Sequence, residues 1–110
     1  MRAQMKTAYT LIADFRRGAI AAGSEITKAQ EHLIRLLASD LDVPTKDVPL
    51  DQLVNRVAKA DSLWSKQTVN LIDSFYVLKK EGKHEDAERK RIEFLKRCPS
   101  VWYCDMVTSL

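Results

Sequence analysis

Two histidines, two cysteines and a scatter of carboxylates are the residues of this 110-residue sequence whose types could do chemistry. Cys98 and Cys104 are six positions apart. Zinc is usually held by tighter cysteine pairs, with about two to four residues between them. His32 falls beside the apolar stripe of a helical segment and His84 in a polar turn. The residues therefore predict no metal ion and no cofactor. Cys104 with His84 is the pairing that could supply a nucleophile and a base. Such a base must itself be held by a third group, so a core thiol and a surface histidine are expected instead. The carboxylate pairs Asp40/Asp42 and Glu85/Asp86 lie in loops or at helix starts, where carboxylates act as caps and dipole partners. Gly18, Gly23 and Gly82 stand too far apart for a phosphate-cradling loop. The expectation is a non-enzyme.

Charge is distributed unevenly. Residues 79–97 hold eight Lys or Arg against five acids, a local +3, in a chain of net charge +3. Lys80, Lys83, Lys90 and Arg97 are the candidate phosphate contacts of this stretch. The acids interleave with the cations, and Glu85/Arg89 and Glu93/Arg97 have the spacing of helical ion pairs. Residues 40–61 carry five Asp against three cations, a local −2. Asp42, Asp47 and Asp51 are its candidate contacts for a basic partner. Trp102 and Tyr103 are adjacent in the C-terminal VWYCDMVTSL. A helix cannot bury both equally, so one is expected near the surface as a candidate binding residue.

These residues must be positioned by helices. The chain is 45% hydrophobic and 30% charged, with few glycines and prolines. That is globular composition without the frequent turns of an all-β fold. A length near 110 residues suits one domain, here 1–110. Lys6, Thr7, Asp14 and Arg16 interrupt the N-terminal apolar positions, and neither a secretory signal nor a membrane span is read. A cytoplasmic location with reduced thiols is expected.

Met5, Ala8, Ile12, Phe15 and Ala19 recur at spacings of three and four, which predicts a first helix to about residue 22, stopped at Gly23. Tyr9, Leu11 and Ile20 widen its stripe. Thr27 with Gln30 predicts a capping box opening a second helix, with Leu33, Ile34, Leu37 and Leu41 inward. DVPTKDVP at 42–49 is a loop. A short helix over about 50–60 and a long one from a cap at Asp61 or Ser62 to about Glu81 follow. The long one carries Trp64, Thr68, Leu71, Phe75 and Leu78 inward, with Ile72 and Tyr76 alongside. Gly82 ends it. A helix over 84–97, broken at Pro99, and a last one capped by Ser100 complete an all-α bundle of five to six helices.

Residues 71–99 resemble a tetratricopeptide-type helical hairpin through Gly82, Ala87 and Pro99. Arg91 stands where that motif has a large aromatic, and no second copy occurs in the sequence. From Gly23 onward the layout also resembles the bacterial DUSAM domain, whose late L-x-x-x-G-x-x-x-x-A hairpin is matched by Leu78, Gly82 and Ala87. Neither resemblance brings functional residues.

The expectation for function is a small interaction protein whose partner is another protein. Its most concrete form is an immunity or antitoxin-type inhibitor that occludes a cognate bacterial toxin. The alternative is a nucleic-acid-binding accessory protein using the basic 79–97 hairpin.

Overall fold

The structure is a computed structural model describing residues 2–18 and 25–110. Its helices are α1 (Arg2–Arg16), α2 (Lys28–Asp40), α3 (Leu50–Lys80), α4 (His84–Arg97) and α5 (Val101–Thr108). No strand occurs among the described residues, and the all-α expectation holds. The chain divides into two units, residues 1–62 and 63–110. Helix α3 contributes to both.

In the first unit α1 packs on α2. Ala8, Tyr9 and Ile12 of α1 are buried, as are Ile34, Leu37 and Ala38 of α2 and Leu53, Val54 and Val57 of α3. These are the three- and four-residue spacings of helix faces turned to a core, each full-sized aliphatic contributing ~1.5–3 kcal/mol. The Tyr9 hydroxyl donates to Asp40 Oδ2 at 2.6 Å, so the polar tip of a buried ring is satisfied. Helix α1 ends earlier than its stripe implies. Gly18 has φ +75° and its N–H donates to Phe15 O, the left-handed conformation that glycine adopts at low cost. Ala19, Ile20 and Gly23 lie outside the described residues.

The capping box at α2 is formed. Gln30 N–H donates to Thr27 Oγ1 at 3.1 Å, and Thr27 N–H to Gln30 Oε1 at 3.0 Å. The helix closes in a Schellman motif: Val43 N–H donates to Ala38 O and Asp42 N–H to Ser39 O. Asp42 holds the left-handed position with φ 57°, a place usually taken by glycine and tolerated by aspartate. Asp47 has φ 60° within the turn closed by Val48 N–H on Thr45 O.

The sequence places a helix boundary at Asp61 or Ser62, but α3 runs unbroken from Leu50 to Lys80. Nothing there stops a helix. Asp and Ser cost less than ~0.7 kcal/mol in an interior, against ~3 for proline. Asp61 is buried, and its carboxylate takes the Arg16 guanidinium at 2.7 Å rather than capping the backbone.

In the second unit α3 ends in another Schellman motif, with Lys83 N–H on Leu78 O and Gly82 at φ +78°. Phe75, Ala87, Phe94, Cys98, Tyr103 and Val107 are buried. Trp64 meets Phe94 edge to face at 5.9 Å. Ser100, fully buried, accepts from Tyr103 N–H at 3.1 Å and so caps α5. Arg91 serves a purpose that the hairpin's aromatic would not. Its guanidinium bonds Glu88 and donates to Thr108 O at the end of α5.

Candidate functional site

Cys98 is buried and Cys104 half-buried, and neither is in a disulfide. The Cys104 thiol donates to Cys98 O at 3.5 Å and the Cys98 thiol to Ser100 O at 3.8 Å. Both sulfurs are thus turned onto the backbone linking α4 to α5. His32 is exposed on α2, in the other unit, and His84 is exposed at the start of α4. Among the described residues no three His, Cys, Asp or Glu gather as metal ligands would.

The candidate acids Asp42, Asp47 and Asp51 are all exposed. Two of them also hold left-handed turn positions, and Asp51 lies in the first turn of α3, where its charge complements the helix dipole. Each aspartate therefore has a local structural role. Of the C-terminal pair, Tyr103 is buried and Trp102 half-buried, while Val101 and Met106 on the same helix are exposed.

Lys80, Lys83, Lys90 and Arg97 are all exposed. The ion pairs of the hairpin differ from those its spacing predicts. Arg89 pairs with Asp86 at 3.3 Å and Arg91 with Glu88. Glu88 also lies 3.8 Å from Lys79, and Lys83 lies 3.4 Å from Glu81. Arg97 reaches across to α3 and donates to Gln67 Oε1 at 3.2 Å.

That cross-helix bond marks one end of an open groove of about 340 Å³. Helix α3 lines it with Gln67, Asn70, Leu71 and Ser74, and α4 with Lys90, Glu93, Phe94 and Arg97. Both sets have the spacing i, i+3, i+4, i+7, so each is one helix face. Phe94 is buried and Leu71 half-buried. Charged and amide groups therefore surround an apolar base.

No family model, curated protein or solved structure matches the chain.

A second surface was not anticipated. Leu63, Val69, Tyr76, Val77, Ile92, Val101 and Met106 are the exposed large apolar side chains among the described residues, and all lie in the second unit. Tyr76 is 57% exposed, and Val69 and Val77 are each 54% exposed. The three sit at i, i+7 and i+8, which places them on one face of α3. A signal for them existed. Val69 and Val77 fall off the stripe of Phe75 and Leu78, and Tyr76 lies at its margin.

Proposed function

We propose that this protein is a small non-catalytic interaction protein that binds another protein through its second unit. In its most concrete form it is a cytoplasmic immunity or antitoxin-type protein that occludes a cognate bacterial toxin. The observation that carries the reading is the exposed face of Val69, Tyr76 and Val77 on α3. Solvent-facing apolar groups at this density favour burial against a partner, and tyrosine is enriched at binding hot spots. The half-buried Trp102 belongs to the same unit and is a further candidate contact. Asp42, Asp47 and Asp51 belong to the first unit and are separate candidate contacts for a basic partner, acting on association rate.

The test couples binding to protection. A protein retained by the immobilised wild-type chain is expressed alone and with the chain. Support is growth arrest by that protein, relief of the arrest by the wild-type chain, and loss of relief with Val69→Ser and Tyr76→Ala together. A retained protein that causes no arrest, or relief unchanged by that variant, sinks the inhibitor reading. The second reading, nucleic-acid binding, is favoured by the joint exposure of Lys80, Lys83, Lys90 and Arg97 in one unit. It requires binding to duplex DNA or tRNA whose salt dependence flattens by about one unit per phosphate contact removed.

A further inference from the structure

We infer that the groove between α3 and α4 binds an extended acidic peptide segment, which rests on the protein-binding reading and names the chemistry its partner would present. The argument begins with charge. Lys90 and Arg97 line the groove seven residues apart on α4. At 1.5 Å per residue their backbone positions are about 10 Å apart along the axis. Neither is neutralised by an ion pair among the described residues. Arg97 is held at its end by Gln67, which leaves further guanidinium donors for a ligand. An extended chain advances about 3.3 Å per residue, so roughly three residues of a bound strand span the two cations. Side chains that share a face of such a strand are two residues, about 6.6 Å, apart, and the long Lys90 and Arg97 side chains can converge over that difference to meet one carboxylate each.

The neutral groups decide between peptide and nucleic acid. Gln67, Asn70 and Ser74 follow one face of α3 along the groove, and each can donate and accept. A peptide backbone offers N–H and C=O groups in alternation and satisfies such a row. A phosphodiester backbone only accepts. Glu93 lies between Lys90 and Arg97 in sequence and lines the same groove. It repels a phosphate or a carboxylate placed beside it alike, but it can accept from a peptide N–H, which a phosphodiester backbone does not offer. The +3 of residues 79–97 adds longer-range attraction for an acidic partner.

The test uses fluorescein-labelled hexaglutamate, hexaglutamine and a thymidine 12-mer, titrated by anisotropy at low and physiological salt. Hexaglutamate is expected to bind wild type at least roughly tenfold more tightly than hexaglutamine. Lys90→Gln with Arg97→Gln should weaken hexaglutamate by about tenfold or more. Lys80→Gln with Lys83→Gln removes the same charge from outside the groove and should change binding by less than about threefold. Circular dichroism checks that each variant is folded. Absence of hexaglutamate binding overturns the proposal, as does equal weakening by the two double variants. Tighter binding of the 12-mer, lost with Lys90 and Arg97, makes the groove a nucleic-acid site and overturns it too. Failure of the broader reading looks different. Hexaglutamate bound through Lys90 and Arg97 with no protective protein partner sinks the inhibitor reading and keeps the groove. A partner indifferent to both residues sinks the groove and keeps the inhibitor.

Discussion

The Arg16 guanidinium donates to Asp61 Oδ2 at 2.7 Å and ties the end of α1 to α3 across 45 residues of chain. The burial is one-sided: the Asp61 side chain is 4% exposed and that of Arg16 35%. The weight of the pair therefore lies on keeping a buried carboxylate bonded. Arg16→Ala should cost about 1–3 kcal/mol. Arg16→Lys should recover part of that, since an ammonium can meet Asp61 but lacks the fork that also reaches Ser62 Oγ at 3.4 Å. Urea midpoints at constant m-value measure both, and a midpoint unchanged in Arg16→Ala would remove the pair from any account of stability.

The continuity of α3 can be tested at Ser62, which is exposed. Within an unbroken helix, Ser62→Pro removes a backbone hydrogen bond and clashes with the preceding turn, for a loss of ~3 kcal/mol or more. Were Asp61 the cap of a separate helix, residue 62 would be its first position, where proline is well tolerated. A nearly neutral Ser62→Pro in chemical denaturation would restore the boundary.

The two Schellman motifs make opposite forecasts. Asp42 occupies a glycine position, so Asp42→Gly should leave stability unchanged or raise it by up to about 1 kcal/mol. At Gly82 a Cβ would meet nothing within 4 Å. The cost of Gly82→Ala is then that of its left-handed backbone alone, about 1–2 kcal/mol. Thermal unfolding followed at 222 nm ranks the two variants; the reverse order would mean the turns are misassigned.

Phe94 and Ile92 lie two residues apart on α4 with opposite surroundings. Phe94 is buried against Trp64, and Ile92 is exposed. Phe94→Ala should cost about 3–5 kcal/mol and Ile92→Ser less than about 0.5 kcal/mol. Comparable losses would place Ile92 inside a core.

Local signals were legible wherever a few neighbouring residues settle the outcome. The Thr27–Gln30 box, the Ser100 cap, the Gly82 stop and the stripe of Ala8 and Ile12 are interactions within one or two turns, and their spacing alone specifies them. What depends on distant partners was not legible. Asp61 reads as a cap because aspartate is a good one. A good cap residue is also tolerated inside a helix, and the Arg16 partner that the buried carboxylate meets there is 45 residues away in the chain. The inward face of α5 was not legible either: Tyr103 and Val107 are buried, while Val101 and Met106 are exposed. In a helix of eight residues with apolar groups all round, periodicity does not select a face. The groove is a tertiary object as well. Lys90 and Arg97 are legible as cations, but their joining with Gln67, Asn70 and Ser74 follows from how α4 packs along α3, a relation between two helix faces that neither helix encodes by itself.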